Sequence, residues 1–395
     1  MTLPIAHLAA RDGIRALAGH PWIWRNEIAR IEGRATPGDL VEVRDARGAT
    51  VGVAYHNARS VIAARLLSRS LRPIDAAFWR ERLATALAYR HAVMPGAESL
   101  RLVNSEADLL PGLIVDRYGG ELVVQLTTAG MDRQRAAIVA ALREAFPDAG
   151  IRERSDLPVR ELEGLPMVAG TLAGEGTGAV TVRIGDARFA IDLADPHKTG
   201  SYLDQAANYR RVARHVRPGM RVADVCSHIG GFGIHAALAG AGEVVAVDQA
   251  EASIAGVGQA AALNGVAARV RPVRADAFAW LKAEQASGAR YDLIILDPPS
   301  FTRSREAVPG ALRGYKEMHL RALKMLAPGG VLATFCCSHH VSAEAFMGSV
   351  VAAAADARVT VRLEERLGAG PDHPVLPTVP ETEYLKGFVL GVIAD

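Results

Sequence analysis

The chain has 395 residues, half of them hydrophobic and 22% charged, with three cysteines. This length allows two or three domains with sizeable cores, and no apolar run approaches the roughly 20 residues of a membrane-spanning helix. So few cysteines exclude a disulfide framework and favour a reducing, cytoplasmic setting, while residues 1–95, with 14 Arg against 8 acidic residues (net +6), are suited to contact with phosphates.

Residues 1–70 are predicted to form a small β-rich domain. Turn residues separate three short predicted strands, Asp39–Arg44, Thr50–Tyr55 and Ser60–Arg65, as in a small barrel or sandwich. Two tryptophans, Trp22 and Trp24, stand next to Arg25. This trio is either a stacking surface for nucleic acid or part of the core, which is the commoner place for tryptophan.

Residues 71–185 are predicted to form a small α+β domain. Apolar residues at helical spacing predict a helix from Pro73 to His91, and a second helix is expected over about 131–146. Strands are predicted at Gly112–Asp116, Glu121–Leu126, near Gly150 and at Ala179–Ile184. Nothing in this segment is typical of catalysis.

Residues 186–395 alternate strands and helices, which indicates a doubly wound α/β sheet. The predicted parallel strands are Arg221–Val225, Glu243–Asp248, Val270–Arg274, Leu293–Leu296 and Val331–Phe335. A final pair is predicted near Val359–Leu363 and Phe388–Ile393. Five βα units completed by a hairpin give a seven-stranded mixed sheet, which fits the Rossmann-like core of class I methyltransferases better than a dehydrogenase.

The strand before Asp297 is the centre of this domain. A run of Leu and Ile predicts a strand buried on both faces, and Pro298-Pro299 after the carboxylate forces an extended turn. Ligands bind at the carboxyl ends of strands in such sheets. Asp297 is therefore a candidate catalytic and cofactor-binding residue, although an Asp at a strand end can also simply cap a turn.

Other strand ends predict a nucleoside cofactor. The turn after the first strand of the sheet contains Ser227 and Gly230, which we expect to bind the cofactor near a helix N-terminus. Cys226 and His228 occupy the places of the first two glycines of a G-x-G-x-x-G motif, which opposes binding of a diphosphate. Further carboxylates at strand ends suit a ribose and an adenine, Asp248 and Asp276.

The segment 197–205, HKTGSYLDQ, is dense in hydrogen-bonding groups. We expect it to fold over the ligand cleft and to bind the cofactor through Lys198, Tyr202 and Gln205; the alternative is a linker between domains.

The fifth strand ends in Cys336-Cys337-Ser-His339-His340, beside the strand of Asp297. Cys336 suits a buried core position if the strand alternates. A metal site is disfavoured because adjacent ligands lack the usual spacing, so no metal is expected. Cys337 opens the turn toward the next helix, where the helix dipole and the histidines favour a thiolate nucleophile.

Several motifs in one order carry a family resemblance. They are HKTGSYLDQ, GGF, DPPSF, RGYK (313–316), CSHH (337–340), DHP (372–374) and YLKGF (384–388). The chain resembles the bacterial class I methyltransferases that make 5-methylcytosine in 23S ribosomal RNA, and the HPW segment resembles their N-terminal PUA domain. The resemblance implies S-adenosylmethionine as cofactor, 23S ribosomal RNA as partner and Cys337 as nucleophile.

Other functions remain open from the sequence. One is a methyltransferase of the same fold that acts on a base nitrogen, such as guanine N7, which needs no thiol; another is a non-catalytic RNA-binding protein. A dehydrogenase is opposed by the missing glycines. The sequence also leaves open which cytosine is modified, whether naked RNA or an assembling subunit is the substrate, which base removes the C5 proton, and whether the protein forms a homodimer.

Overall fold

The structure is a computed structural model, and it describes residues 3–10, 13–176, 178–193, 200–302 and 304–393. The chain divides into two compact units. Unit 1 comprises Met1–Val180, Ile191–Ser201 and Pro371–Thr382, and unit 2 comprises Thr181–Ala190, Tyr202–Gly370 and Glu383–Asp395. Among the described residues, no helix combines the length and the apolar character that crossing a membrane requires.

Two sheets and their helices build unit 1. The first sheet contains β1 (Ile5–Leu8), β2 (Trp22–Ile23), β3 (Ile28–Glu32), β4 (Leu40–Arg44), β5 (Thr50–His56) and β6 (Ala64–Ser68). The second contains β7 (Ser99–Asn104), β8 (Leu113–Tyr118), β9 (Glu121–Leu126), β10 (Gly150–Ser155) and β11 (Val168–Ala173). The helices are α1 (Ala76–Val93), α2 (Ala129–Arg133), α3 (Arg135–Ala145) and α4 (Val159–Leu162). A hairpin follows, β12 (Ala179–Ile184) and β13 (Ala187–Asp192), of which Thr181–Ala190 belong to unit 2.

Tyr55 of β5 joins the first sheet to the second. Its ring packs in the apolar core that Phe78, Trp79 and the second sheet build, and its hydroxyl donates to the carbonyl of Pro111 at 2.5 Å. The ring also sits so close to Gly130 that a Cβ there would meet it at 2.0 Å. This shared core gives a physical reason why residues 1–180 form one compact unit; the predicted division at residue 70 stays a prediction.

Arg90 of α1 is a buried cation in unit 1. It is 0% exposed and makes two hydrogen bonds to the carboxylate of Asp108, at 2.5 and 2.7 Å. It also donates to the carbonyls of Arg101, at 2.9 Å, and Asp372, at 2.8 Å. The DHP motif therefore has a structural role in unit 1, because its first residue accepts a bond from this arginine.

We expect Arg90→Met to lower the free energy of unfolding by about 3–5 kcal/mol, because it leaves the buried Asp108 carboxylate without its counter-ion. Urea unfolding of the full chain, followed by tryptophan fluorescence, measures this. Arg80→Met on the same helix is the control: Arg80 is half exposed and its contact with Glu144 is 3.6 Å, so a change below about 0.5 kcal/mol is expected. Equal effects of the two substitutions would contradict the prediction.

Unit 2 contains, within its described residues, a seven-stranded mixed sheet. Its strands are β14 (Arg221–Val225), β15 (Glu243–Asp248), β16 (Val270–Arg274), β17 (Tyr291–Leu296), β18 (Leu326–Cys336), β19 (Thr360–Leu367) and β20 (Lys386–Ile393). Their order is β16-β15-β14-β17-β18-β20-β19. The helices are α5 (Ala206–Ala213), α6 (Gly231–Leu238), α7 (Glu251–Leu263), α8 (Ala277–Ala286), α9 (Val308–Met325) and α10 (Ala343–Ala357). β20 runs antiparallel to both β18 and β19, which confirms the predicted α/β class and mixed sheet.

Predicted strands and helices differ from the structure mainly in unit 1. The strand expected at Ser60–Arg65 lies at Ala64–Ser68, because residues 57–62 form turns instead. The helix expected over 131–146 is two helices, α2 and α3, which meet at Gln134. In unit 2 the first three predicted strands have the observed bounds.

Candidate active site

The candidate site lies at the carboxyl ends of the parallel strands of unit 2. β17 pairs with β14 on one side and β18 on the other, and Leu296 lies opposite Val225 and Thr334. Asp297 directly follows β17, and Cys337 directly follows β18. Neighbouring strands thus bring the predicted carboxylate and the predicted thiol to one edge of the sheet, where ligands bind in open α/β folds.

A chain of hydrogen bonds holds the Asp297 carboxylate. Gln205 Nε2 donates to Asp297 Oδ2 at 3.1 Å, and the Asp297 backbone N–H donates to the carbonyl of Val225 at 3.3 Å. Asn208 is fully buried, and its Nδ2 donates to Gln205 Oε1 at 2.6 Å and to the Gly368 carbonyl at 2.8 Å. Because the carbonyl end of the Gln205 amide is occupied, its N–H end faces Asp297. Gln205, predicted as a cofactor ligand, therefore also positions Asp297.

The two adjacent cysteines have different surroundings. Cys336, the last residue of β18, is 0% exposed in the apolar core, although residues 330–336 are all buried and the strand does not alternate as expected. Cys337 is half-buried. Burial raises the pKa of Tyr315, and the nearby Cys336 and Cys337 sulfurs raise it further. Among the described residues no group of three or more His, Cys, Asp or Glu side chains is arranged to hold a metal ion.

Tyr202 lies near Asp297 and Cys337 and also near Asp248, a residue predicted to bind the cofactor. Its ring meets the ring of His228 edge to face, with centroids 4.9 Å apart. Burial raises the pKa of Tyr202 to about 12. Negative groups from both sides add to this rise, namely Asp297, Asp204, Cys337 and Asp248. The predicted residue Tyr202 is thus close to the candidate pair Asp297 and Cys337 as well as to the predicted ribose-binding carboxylate.

The turn after β14 has the backbone of a glycine-rich loop without its glycines. Cys226 and His228 have φ values of +63° and +50°, a left-handed conformation that costs a non-glycine residue on the order of 1–2 kcal/mol. Gly230, at φ +87°, caps the N-terminus of α6. Such strain at a strand end is typical of functional sites.

Buried polar atoms surround this turn. Asp248 Oδ2 accepts the His228 backbone N–H at 3.0 Å, and Oδ1 accepts the N–H of Ala250 at 2.9 Å. Asp224 is fully buried, and burial raises its pKa to about 7. Within the described residues, Asp224 Oδ1 and Ser227 Oγ are buried without a hydrogen-bond partner. These atoms are available to a polar ligand.

For two of the predicted cofactor-binding residues, Asp276 and Lys198, the structure provides no evidence of a role in binding. Asp276 is exposed and caps α8, since its Oδ1 accepts the Ala279 N–H at 2.9 Å; its role toward an adenine stays a prediction. Lys198 lies outside the described residues. No sequence pattern pointed to Asn208, and Lys386 was noted only as part of the YLKGF motif.

Carboxylates give the site a negative potential. Burial raises the pKa of the Cys226 thiol, and four carboxylates raise it further, namely Asp297, Asp248, Asp224 and Asp276. A diphosphate would be repelled by such a set, whereas a cationic nucleoside would be attracted.

Comparison with known proteins identifies the parts of the chain. Residues 7–69 match the PUA-like domain family, and residues 166–388 match the S-adenosylmethionine-dependent methyltransferase family. The chain is 37% identical over 382 residues to the ribosomal RNA large subunit methyltransferase I of Erwinia tasmaniensis, covering 95% of this chain and 96% of the relative. It is also 37% identical to the protein of that name from Klebsiella pneumoniae strain 342, covering 95% of each chain.

Solved structures have the same fold. A candidate SAM-dependent methyltransferase from Streptococcus mutans superposes with a TM-score of 0.83 at 20% identity, covering 99% of this chain and 100% of that one. A candidate methyltransferase complexed with SAH gives a TM-score of 0.84 at 20% identity, with the same coverage. At this identity the likeness concerns the fold alone.

The cofactor of this chain is S-adenosylmethionine, a cationic nucleoside without a diphosphate. The site fits it: carboxylates converge on the turn after β14, and Ser227 Oγ and Asp224 Oδ1 are buried and unpaired among the described residues. The methyltransferase family covers more than half of the chain, and the relatives align over nearly all of it. The chain therefore belongs to the S-adenosylmethionine-dependent methyltransferases with an N-terminal PUA-like domain, the family that includes the ribosomal RNA large subunit methyltransferase I proteins.

Proposed function

We propose that this protein methylates C5 of a cytosine in 23S ribosomal RNA through a covalent bond between Cys337 and C6 of the base. The observation that carries the proposal is the placement of a half-buried thiol and a held carboxylate, Cys337 and Asp297, at the ends of the adjacent strands β18 and β17. The relatives named as large-subunit ribosomal RNA methyltransferases support the substrate class. The proposed setting is the cytoplasm.

The chemistry explains why both groups are needed. C5 of cytosine is a poor nucleophile, so the Cys337 thiolate adds to C6 and the C5–C6 π electrons become available at C5. S-adenosylmethionine, when bound, supplies the electrophilic methyl group that C5 takes. Loss of the C5 proton to water or a base then restores the double bond and expels the Cys337 thiolate. Asp297 accepts a hydrogen bond from the N4 amino group and so holds the ring, and N3 takes up a proton, from water or from this carboxyl group, as negative charge develops there.

The cofactor is held by the residues after β14, β15 and β16 in this proposal. Ser227 and Gly230 contact it through the turn before α6, and Asp248 accepts the ribose hydroxyls. Asp276 faces the adenine amino group. Tyr202, Gln205 and Lys198 of the HKTGSYLDQ segment close the cofactor side, and Gln205 also holds Asp297.

The PUA-like domain is proposed to contact the RNA backbone. Trp22 and Trp24 are half-buried, so neither belongs to the apolar core; Trp22 Nε1 donates to Glu106 at 2.8 Å. Trp24, Arg25 and Asn26 line a shallow surface pocket. The base must leave its stack to reach the site, as for other base-modifying enzymes, and a basic, aromatic surface on the PUA-like domain suits an RNA segment.

The product tests the proposal directly. The full-length enzyme is incubated with 23S RNA and S-adenosylmethionine labelled in its methyl group, and the nucleosides are separated by mass spectrometry. Label in 5-methylcytosine is expected. Label in a guanine would favour methylation of a base nitrogen, and an unlabelled RNA together with no calorimetric binding of S-adenosylmethionine would favour a non-catalytic RNA-binding role.

Asp248→Ala is expected to weaken S-adenosylmethionine binding about 10- to 100-fold, because hydrogen bonds to a carboxylate are lost. Isothermal titration calorimetry of the RNA-free protein measures the affinity. Glu251→Ala is the matched control, since this exposed side chain pairs with Arg274 at the start of α7 and should leave affinity unchanged. Wild-type affinity in Asp248→Ala would contradict the assignment.

A further inference from the structure

Strand pairing places a cation beside the candidate nucleophile. Lys386 begins β20 and lies opposite Cys336 in the antiparallel pairing with β18. Its half-buried Nζ donates to the carbonyl of Ser338 at 2.5 Å, which belongs to the residue directly after Cys337. The same carbonyl accepts the N–H of Val341 at 3.4 Å. The ammonium is therefore fixed against the turn that presents Cys337.

Other sources of positive charge are less well placed. α10 begins at Ala343, with Ser342 as its cap, so Cys337 precedes the helix by more than a turn, and the dipole effect declines within one turn. His339 is exposed, with its ring 5.5 Å from that of Tyr384. The dipole and the histidines, which the sequence suggested as activators of the thiol, are thus weaker candidates than Lys386.

We propose that Lys386 is the positioning residue that stabilises the thiolate of Cys337. The S–H proton goes to solvent, Lys386 stays protonated, and the resulting ammonium–thiolate pair attacks C6 of the base. This inference rests on the proposed function, because it takes Cys337 as the nucleophile. A lysine beside a cysteine is a common means of keeping the thiol ionised near neutral pH.

Charged groups around the thiol oppose its ionisation. Asp297 on the neighbouring strand end is negative and opposes ionisation of Cys337. Burial raises the pKa of Tyr202 and of Tyr315, so both phenols facing the thiol are neutral near pH 7. Without a cation, this environment would favour the thiol over the thiolate.

The charged groups around Lys386 agree with a pairing between its ammonium and the Cys337 thiolate. Burial lowers the pKa of Lys386, and the Cys336 and Cys337 sulfurs and the Glu383 carboxylate act in the opposite direction. Cys336 is enclosed in the apolar core, so the half-buried Cys337 is the sulfur that gains from the ammonium. His340, exposed on the same turn, lies near a different carboxylate, that of Glu306.

The test measures the thiol itself rather than methylation. Full-length protein is alkylated with iodoacetamide from pH 5 to 10, and the rate at Cys337 is read by peptide mass spectrometry. Lys386→Met removes the charge and the hydrogen bond, Lys386→Gln keeps an N–H donor without charge, and Lys386→Arg keeps the charge. Lys282→Met, on the exposed face of α8, is the control.

The pH midpoint of Cys337 alkylation is expected to rise by about one pH unit in Lys386→Met and Lys386→Gln, so that alkylation at pH 7 is about tenfold slower. Lys386→Arg and Lys282→Met should keep the wild-type midpoint. Equal midpoints in all variants would overturn the inference, and so would a rise in Lys386→Met alone, since it would assign the effect to the hydrogen bond. If Lys386→Met fails to fold, the Gln and Arg variants make the same comparison.

Failure of the proposed function would give a different experimental result from failure of the Lys386 inference. If a Cys337→Ala enzyme still made 5-methylcytosine, the nucleophile would be wrong, whatever the alkylation midpoints are. If 5-methylcytosine formation required Cys337 but the midpoint were independent of Lys386, the proposed function would stand and the role of Lys386 would be rejected.

Discussion

Cys337→Ala is expected to reduce formation of 5-methylcytosine in 23S RNA at least about 10³-fold, because no other group can activate C6 once the nucleophile is removed. Cys336→Ala is the matched control one residue earlier. Cys336 packs in the core, so this variant should lose about 1 kcal/mol of stability and keep its rate within a few-fold. Single-turnover methylation with labelled S-adenosylmethionine measures both rates.

A trapped adduct provides an independent readout of the same residue. RNA with 5-fluorocytosine at the target cannot lose the C5 substituent as a proton, so the bond between sulfur and C6 persists after methyl transfer. Wild type and Cys336→Ala are expected to form a complex that survives denaturing electrophoresis, and Cys337→Ala is expected to form none. A stable complex in Cys337→Ala, or one lost only in Cys336→Ala, would contradict the assignment.

Most of the parallel sheet could be predicted because the strands β14, β15, β17 and β18 are largely buried runs of Val, Ile, Leu and Ala, and a carboxylate or a cysteine ends or directly follows each of them. The exception is the edge strand β16, which is mostly exposed and ends at Arg274. These runs also fixed the position of Asp297 and Cys337, since successive parallel strands with known order place their ends together. Local pattern and global fold agree here.

The turn after β14 has the backbone geometry of a glycine-rich loop but lacks the glycines of the sequence motif. The absence of glycine at 226 and 228 suggested a turn different from a dinucleotide-binding loop, yet Cys226 and His228 adopt the left-handed conformation that glycine usually provides. The surrounding structure enforces that strain. The exclusion of a diphosphate rests instead on the four carboxylates near Cys226, a property of the folded site that no single segment displays.

Contacts between residues that are far apart in the chain could not be predicted from the sequence. Gln205 contacts Asp297, and Lys386 contacts the turn after Cys337, but the residues in each contact belong to different elements. The segment 371–382 lies between β19 and β20 yet belongs to unit 1, where Arg15 donates two hydrogen bonds to Glu381 at 2.8 and 2.9 Å. Periodicity predicts elements, and it carries no information on such pairings.

Asp297→Asn is expected to lower the single-turnover rate about 10²- to 10³-fold, the usual cost of removing one group that stabilises developing charge. The hydrogen bond from Gln205 Nε2 to Oδ2 makes the substitution informative. In the variant the amide oxygen keeps the bond to Gln205, so the amide nitrogen takes the other position. A donor then faces the cytosine N4 amino group, which is also a donor, and the negative charge is gone.

The affinity for S-adenosylmethionine distinguishes the two roles predicted for Asp297, one toward the base and one toward the cofactor. If its main role is toward the base, Asp297→Asn should bind S-adenosylmethionine within about threefold of wild type in calorimetry, with the loss confined to the methylation rate. Gln205→Leu, which leaves the carboxylate but removes its holder, should lower the rate by about tenfold, because the loss of a single positioning hydrogen bond costs about 1–1.5 kcal/mol. A wild-type rate in Asp297→Asn would reject the catalytic role. A loss of cofactor affinity that matches the loss of rate would instead assign Asp297 to the cofactor, since the site would then hold the methyl donor through the same carboxylate that was proposed to hold the base.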